Sequence, residues 1–364
     1  STTDYYQITM GKTQVEILPG RTTEVWGYNG IFPGPVIRQQ KNRVSTVRFI
    51  NNLDVNTSVH LHGMSSLPQY DGYSQDFIPP GYYKDYVYSN TFAANFWYHD
   101  HGLAQTARNV YMGLAGMYIV QDDDELALPL PKGNYDIPLI IQDRQFASDG
   151  SLIFDNRNNT SVMGDTIVVN GVAWPRMEVA NRKYRFRVLN ASSSRSYRLA
   201  LGTGDDLIVI GTDGGLMSAP VSTQDLRLAP GERYDFIIDF SKYSIGTQVE
   251  LQNLPLPNNI SFANTEKIMR FDVVRSETDD SLVPSRLRDI EFIPESAAVR
   301  TRDFLLERTN QMWVINGGGW DPNRIDANPQ LEEVEIWTFR NPSSMASHPM
   351  HLHAFKIQIL DRNR

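Results

Sequence analysis

Short apolar stretches interrupted by glycine, proline, asparagine and aspartate follow one another along most of the chain. Residues 162–172 and 232–240 show this alternation, and long helical periodicity is scarce. Strand-like runs separated by turn residues are typical of β-sandwiches. The pattern therefore predicts an all-β protein.

A segment containing Asn-Gly recurs three times and indicates an internal repeat. Its copies read YNGIFPGPVI, VNGVAWP and INGGGWDP. Each copy precedes a strand-like run, VSTVRFIN, KYRFRVLN or VEIWTFRN, and these runs end at Asn51, Asn190 and Asn341. A shared order at similar spacing predicts three related domains.

The repeat, together with a length of 364 residues, predicts three domains. We expect them at residues 1–128, 129–282 and 283–364, and call them the first, middle and third units. Connectors are predicted near residues 122–134, where DDDE precedes PLPKG, and near the polar stretch 276–289. The third unit is too short to close a sandwich of the same kind, so we expect it to be incomplete in this chain.

All seven histidines lie in three clusters, HLHG, YHDHG and HPMHLH. Because alternate residues of a strand project from one face, each HxH pair aims two imidazoles in the same direction. The middle unit has no histidine, so we expect the first and third units to meet at a metal centre, with a turn through Pro349 sending the first histidine of the last cluster elsewhere. The candidate ligands are His60, His62, His99, His101, His348, His351 and His353.

Imidazole groups without thiolate or carboxylate ligands suit zinc, copper, iron or nickel, and affinity favours copper. A single zinc ion is satisfied by four ligands and usually recruits carboxylates or cysteines. Six converging imidazoles exceed the needs of one ion, so a multinuclear centre is the better interpretation. A zinc hydrolase is a distant alternative that metal analysis would distinguish.

Composition and charge narrow the function classes. The net charge of −8 and the lack of any cluster of basic residues argue against a nucleic-acid partner. A helix that spans a membrane needs about 18 consecutive apolar residues, and no apolar run in this sequence comes near that length. We therefore expect no membrane partner. The polar start STTDYYQ is not a signal peptide, and an exported protein would therefore begin here at a processed terminus.

Five N-x-[ST] sequons, a number close to chance, give weak support for a secreted glycoprotein. They begin at Asn56, Asn158, Asn159, Asn190 and Asn259.

These motifs together resemble those of the multicopper oxidases, the family of laccases and their relatives. The resemblance covers essentially the whole chain and includes HLHG followed by Asp71-Gly72, NFWYHDHG, GDTIVVNG and HPMHLHAF. Within the family, the combination of VHLHG, YKDYVY and WYHDH is most similar to the branch of bilirubin oxidase, spore-coat laccase and phenoxazinone synthase.

The resemblance implies three cupredoxin-like Greek-key sandwiches and four copper ions in the complete protein. A type 1 copper would take electrons from a small aromatic donor, and a trinuclear cluster would reduce O2 to water. By the same resemblance His348 is a type 1 ligand and His60 and His351 hold the type 2 copper. The type 3 pair is bound by His62, His99, His101 and His353.

Asp71 is expected, by the same resemblance, to sit beside the cluster and assist proton delivery. The role is chemically sensible because reduction of O2 to water consumes protons. The alternative interpretation of Asp71-Gly72 is an ordinary turn.

One family motif is missing. The family's last motif, HCH followed by a further histidine, supplies the type 1 thiolate and three more ligands, and this chain has no cysteine. We therefore expect a separate C-terminal chain or cleaved fragment to complete the third unit, with cleavage after a strand at 355–360 near the basic DRNR ending at Arg364. A shortened gene product is the alternative.

The leading function hypothesis is a secreted, extracellular copper oxidase of phenols or similar small aromatic donors. Bilirubin or metal-ion oxidation is a second possibility, although Ala346 stands where bilirubin oxidases carry tryptophan and no Met-rich insert is present. A non-catalytic copper-binding protein is the alternative from another class.

Overall fold

Strands dominate the part of the chain that the computed structural model describes, residues 3–157, 161–342 and 347–362. Within these ranges the strands form five sheets, and the two helices are short. The all-β prediction is therefore confirmed. The helices are α1 (Thr106–Met112) and α2 (Asp123–Ala127), and 3-10 turns occupy Pro68–Tyr70, Gly133–Tyr135, Phe240–Lys242 and Glu295–Ala297.

Two four-stranded sheets form the first unit, in the orders β2-β1-β4-β6 and β3-β8-β7-β5. Aromatic side chains fill the space between them, with the Phe49 ring 5.7 Å from that of Tyr86 and 5.9 Å from that of Tyr98. The strands are β1 (Thr3–Glu16), β2 (Thr22–Tyr28), β3 (Ile37–Gln40), β4 (Val44–Asn51), β5 (Val59–His62), β6 (Tyr83–Tyr88), β7 (Ala94–Asp100) and β8 (Ala115–Gln121).

The middle unit is a larger sandwich, with sheets ordered β11-β10-β9-β13-β18-β15-β16 and β12-β20-β19-β14-β17. A large cluster of aliphatic and aromatic side chains fills the space between its sheets. The strands are β9 (Asp136–Arg144), β10 (Thr166–Val169), β11 (Val172–Ala173), β12 (Arg176–Ala180), β13 (Lys183–Asn190), β14 (Tyr197–Leu201), β15 (Leu207–Thr212), β16 (Gly215–Thr223), β17 (Leu226–Leu228), β18 (Arg233–Asp239), β19 (Gln248–Asn253) and β20 (Lys267–Arg275).

The described residues of the third unit form one sheet of order β22-β21-β23, with β21 (Ala298–Thr309), β22 (Met312–Ile315) and β23 (Val334–Arg340). The predicted strand at 355–360 is wrong, because a strand needs a hydrogen-bonded neighbour and no described strand lies beside this segment. The side chain of Gln358 in this segment instead accepts from Ile293 N and donates to Glu291 O, each at 2.8 Å.

The internal repeat is visible in the strand pairing. In each unit an early strand pairs antiparallel with the strand that follows it and parallel with the run that ends in asparagine. The equivalent triplets are β2-β1-β4, β10-β9-β13 and β22-β21-β23. The strand pairing therefore repeats in all three units, as the sequence repeat indicated, while the domain boundaries stay a prediction.

The Asn-Gly segments adopt one turn in all three units. Asn29, Asn170 and Asn316 have φ angles of 54°, 49° and 51°. Each side-chain oxygen accepts a hydrogen bond from a backbone N–H of the neighbouring strand, at 2.8, 2.9 and 2.7 Å. Each Nδ2 donates to a backbone carbonyl of the same strand, two residues before the residue that supplies the N–H. Asparagine suits the position because its short side chain tolerates a left-handed backbone and bonds locally.

Two of the sequons have their amides engaged in the fold. Asn190 is fully buried, and its Nδ2 donates to two backbone carbonyls at 2.8 and 3.0 Å, so it accepts no glycan in the folded chain. Asn259 donates its Nδ2 to Ser196 O at 2.7 Å. Asn56 is partly exposed, and Asn158 and Asn159 lie outside the described residues.

The first and middle units share a continuous interface. β7 is buried along its whole length because one face meets the core of the first unit and Trp97, on the other, packs near Ile140 and Leu189 of the middle unit. Neither described helix has the length and apolar character needed to cross a membrane. The interface between the two units brings the middle unit next to β7, the strand that carries His99.

Candidate metal centre

Strands β5 and β7 position the histidines of the first unit. They pair antiparallel with His60 directly opposite His99. His60 and His62 project from one face of β5, and Leu61 between them points into the core. His101 follows the end of β7, and its N–H donates to Ser58 O at 2.9 Å. The strand geometry predicted for the first pair is therefore confirmed, whereas His101 is placed by the chain just beyond its strand.

The third unit brings its histidines to the same place without a strand. His351 and His353 lie in the irregular segment 347–362, so the expectation that a pleated strand aims them is wrong. The His353 ring stacks on His60 with centroids 3.9 Å apart, and the His351 ring stacks on His62 at 3.6 Å. Ser65 Oγ donates to Ala354 O at 2.7 Å and ties this segment to the first unit.

Ligand atoms of these histidines approach one another closely. The Nε2 atoms of His60 and His351 are 3.3 Å apart, and His62 Nδ1 lies 3.4 Å from His99 Nε2. The ring of His101 lies 5.3 Å from that of His60. Six side chains from two units thus form one cluster, as their spacing predicted. Their role as metal ligands stays a prediction.

Backbone and carboxylate oxygens fix the tautomer of three of these rings. His60 Nδ1 lies 2.6 Å from Asp71 O, and His99 Nδ1 lies 2.8 Å from Asp100 O. His353 Nδ1 lies 2.7 Å from Asp71 Oδ2. When each Nδ1–H donates to its oxygen, Nε2 keeps a free lone pair, which is the arrangement that orients histidine ligands at metal sites.

The donor set fits copper. Loss of surrounding water lowers the pKa of His60, His62, His99, His348 and His351, and lowers that of His101 to about 4, which favours neutral imidazole, the form that binds metal. His101 Nδ1 and His348 Nε2 are buried and have no hydrogen-bond partner among the described residues. Buried polar atoms are normally satisfied, so these nitrogens are well suited to a metal ion.

Asp71 lies beside the cluster, as the resemblance implied, and also ends a turn, while its part in proton delivery stays a prediction. Burial alone would raise the pKa of the Asp71 carboxyl, but the hydrogen bond from His353 and the nearby imidazole of His60 outweigh it and hold the pKa well below its usual range. Gly72 has a φ of 74°, and a Cβ there would lie 2.2 Å from Val59 O. The glycine lets the turn approach β5 closely enough for Asp71 to reach two histidines.

His348 stands apart from the cluster. Its ring makes an edge contact with Trp313 at 4.4 Å, and the described ring contacts join it to no other histidine. The separation matches the expectation that Pro349 diverts this side chain to a different site. Ala346, two residues earlier, lies outside the described residues.

The sequence pattern missed the neighbours that surround the histidines. The Trp97 ring lies 4.0 Å from that of His99 and 5.2 Å from that of His62. Gly231 and Arg233 of the middle unit approach His62 and Gly63. Trp97 could have been predicted as a neighbour because it stands two residues before His99 on the same strand. Gly231 and Arg233 are too distant in sequence to be connected with the histidines by any spacing.

Comparisons with known proteins agree with this geometry. Family models described as multicopper oxidase match residues 9–125, 145–264 and 296–364. A bilirubin oxidase from Albifimbria verrucaria is 38% identical over 98% of this chain, and a laccase from Bacillus subtilis (strain 168) is 36% identical over 98%. The chain spans 66% of the length of the first protein, less than two thirds, and 79% of the second.

A solved structure supports the same assignment. The 2F4 variant of McoA multicopper oxidase from the hyperthermophile Aquifex aeolicus superimposes with a TM-score of 0.88 at 32% identity, over 99% of this chain and 85% of that one. Its similarity confirms the cupredoxin-like fold class. The chain belongs to the multicopper oxidase family, whose cofactor is copper in type 1, type 2 and type 3 sites.

Proposed function

We propose that this chain carries most of a copper-dependent oxidase that couples one-electron oxidation of phenolic or similar aromatic donors to the four-electron reduction of O2 to water. The observation that carries the proposal is the division of the seven histidines, with six in one cluster between two units and His348 apart. One multinuclear site and one mononuclear site are what such coupling requires. Copper, when bound, supplies the one-electron redox steps.

The proposed ligand roles follow the family pattern. His348 holds the type 1 copper, and the pair His60 and His351, with Nε2 atoms 3.3 Å apart, holds the type 2 copper. The remaining four rings bind the type 3 pair: His62, His99, His101 and His353.

Asp71 is the proposed residue for proton delivery. Its Oδ2 is engaged by His353, while Oδ1 is buried, lies 3.5 Å from His60 Nδ1 and has no hydrogen-bond partner within the described ranges. An oxygen in that state is suited to hold a water molecule next to the cluster. A carboxylate with a bound water is the group that protonation of reduced oxygen needs.

The remaining ligands are proposed to come from a C-terminal chain or cleaved fragment. The sequence contains no cysteine for a type 1 thiolate, and it spans only 66% and 79% of two relatives. Large apolar side chains of the third unit are exposed, including Ile325 at 81% and Leu331 at 94%. Exposed apolar residues of this kind mark a surface for a partner segment.

Denaturing mass spectrometry of the active material, with copper counted per complex, tests this assembly. We expect this chain together with a second, cysteine-containing species and four copper ions. A single species that ends at Arg364 and has full copper and activity would contradict the two-piece proposal. A cysteine-containing continuation of the same polypeptide would replace it with an uncut chain.

Bilirubin is the second candidate substrate, favoured by the 38% identity to a bilirubin oxidase. Ala346 argues against it, because bilirubin oxidases typically carry tryptophan there. Turnover on a simple phenol, on bilirubin and on an oxidisable metal ion, measured on one preparation, separates the candidates. We expect the phenol to be oxidised fastest. The blue absorption of a Cys-ligated copper would exclude the non-catalytic alternative.

We also propose that the protein is exported. The acidic pI of about 5.4 and the copper requirement favour an extracellular location, and Asn56 is a partly exposed sequon. Oxidase activity recovered in the culture medium rather than in cells would support export.

The proposed domain boundaries can be tested by limited proteolysis. Cleavage within residues 122–134 and 276–289 would support them.

A further inference from the structure

We infer that Arg233 of the middle unit is a positioning residue, which holds the turn after His62 against the strand that carries His99. The inference rests on the proposed copper cluster. It assigns a part in building that cluster to the unit that supplies no histidine. Arg233 begins β18 and is 3% exposed.

Two hydrogen bonds fix the guanidinium between the units. Arg233 Nε donates to Asn95 O at 2.9 Å, and Nη1 donates to Gly231 O at 2.8 Å. Asn95 belongs to β7, four residues before His99. The planar group therefore joins a loop of the middle unit to the histidine-bearing strand of the first, a geometry that a lysine ammonium does not reproduce.

The turn after His62 rests directly on this guanidinium. A Cβ added to Gly63 would lie 2.6 Å from Arg233 Nη2, and Gly63 has a φ of 95°. On the other side, a Cβ added to Gly231 would lie 3.3 Å from His62 Cε1, and Gly231 has a φ of 82°. The two glycines remove the side chains that would separate the arginine and its loop from the imidazole.

Asp213 balances the charge of Arg233. Asp213 accepts the backbone N–H of Arg233 at 2.6 Å and lies 3.3 Å from Nη1, and its side chain is about half exposed. The half-exposed carboxylate thus neutralises the buried cation. The cluster keeps an arginine support without acquiring a carboxylate ligand.

The test compares Arg233→Gln with Arg195→Gln in the holoenzyme. Arg195 is a matched control because it is also in the middle unit, is 1% exposed and donates three hydrogen bonds, to Asp143, Gly164 O and Ile260 O. The measurements are the copper dissociation constant and the rise in Tm from the metal-free to the copper-loaded protein. Ligand binding to the native state raises Tm according to its affinity, so the second measurement does not depend on turnover.

We expect Arg233→Gln to weaken copper binding at least tenfold, as changes to groups that orient ligands do, and to shrink the copper-dependent rise in Tm. Arg195→Gln should lower Tm in both forms and leave the rise unchanged. Equal copper affinity in Arg233→Gln and the wild type would overturn the inference. An equal loss of copper in both variants would also overturn it, since general destabilisation would then suffice.

If a Gln variant does not fold, the corresponding Lys variants, Arg233→Lys and Arg195→Lys, test the inference in its place. Arg233→Lys keeps the charge and reaches one carbonyl, so it should bind copper more weakly than the wild type, whereas Arg195→Lys should not. Wild-type copper affinity in Arg233→Lys would overturn the inference. A wild-type protein that binds no copper at these histidines would instead contradict the proposed function.

Discussion

His353 Nδ1–H donates to Asp71 Oδ2 over 2.7 Å, and this bond joins the third unit to the first beside the histidine cluster. The carbonyl oxygen of the same aspartate lies 2.6 Å from His60 Nδ1. One residue thus fixes the tautomer of two rings from different units. Asp71 is therefore a positioning residue, whatever its part in moving protons.

Two substitutions at Asp71 separate positioning from proton delivery. Asp71→Asn retains an oxygen acceptor for His353, so we expect nearly full copper content and a turnover reduced about 10²- to 10⁴-fold, the usual contribution of a positioned proton donor. Asp71→Ala removes the acceptor and should weaken copper binding about 10- to 100-fold. Copper analysis and O2 consumption are the measurements. Full turnover in Asp71→Asn would exclude the proton-delivery role.

Substitution of single histidines should remove different coppers. Because His348 stands apart and contacts Trp313, His348→Ala should abolish only the blue absorption and leave the trinuclear coppers. His351 stacks on His62 and faces His60 within the cluster, so His351→Ala should lose copper there and keep the blue band. Metal counting and absorption spectra check both. Identical spectra for the two variants would contradict the division into two sites.

Copper removal should loosen the segment 347–362. Few hydrogen bonds hold its described residues to the rest of the chain, chiefly those of Ser65 with Ala354, Asp71 with His353 and Gln358 with the stretch before β21. We therefore expect a chelator to expose this segment to protease and copper to restore protection. Cleavage in β13, which is buried in the middle unit, serves as the control and should not change.

The sequence predicted those features that depend on neighbours along the chain. The runs ending at Asn51 and Asn190 coincide with β4 and β13, because a period of two and turn residues at each end are local signals. The pairing of His60 with His62 followed from the same period. For His351 and His353 the predicted strand was wrong, since the described residues of their segment form no strand. Their predicted position in the cluster with the histidines of the first unit was right.

Contacts between distant parts of the chain were not accessible in the same way. Arg233 reaches Asn95 across 138 positions, and no spacing connects the two. The Asp71-Gly72 pair was ambiguous because a turn and a carboxylate beside histidines use the same residues. Only the approach of Gly72 to Val59 shows that the turn is what delivers the carboxylate.

The shared asparagine turn gives a prediction about stability. Asn170→Ala loses both side-chain hydrogen bonds, the one accepted from Ile140 N and the one donated to Pro138 O, and places alanine at a φ of 49°. We expect a loss of about 2–4 kcal/mol in the free energy of unfolding. Asn170→Gly relieves the backbone strain and should lose less. Chemical denaturation measures both, and an equal loss in the two variants would show that φ contributes nothing.

Arg187 is the centre of a buried ionic network between the first and middle units. It is 1% exposed and donates to both carboxylate oxygens of Asp136, to Glu125 and to Asn95 at 2.8 to 2.9 Å. Arg187→Met leaves these acidic groups with fewer partners, so we expect a loss of about 3–5 kcal/mol. Arg198→Met, which breaks a partly exposed pair with Asp225, should lose less than about 1 kcal/mol.

The Arg187 network should also make this difference depend on pH. Burial alone would raise the pKa of Asp136, but Arg187 holds it at about 2, below the usual value of 3.8. The ionised carboxylate therefore contributes about 2 kcal/mol of stability above pH 4, and this contribution is lost as the pH falls toward 2. In Arg187→Met the pKa of Asp136 is depressed less, because only Arg185 and Arg38 remain beside it, so the gap between wild type and variant should narrow over that interval. Denaturation curves at pH 5 and pH 3 measure it, and a constant gap would show that Arg187 does not hold the carboxyl ionised.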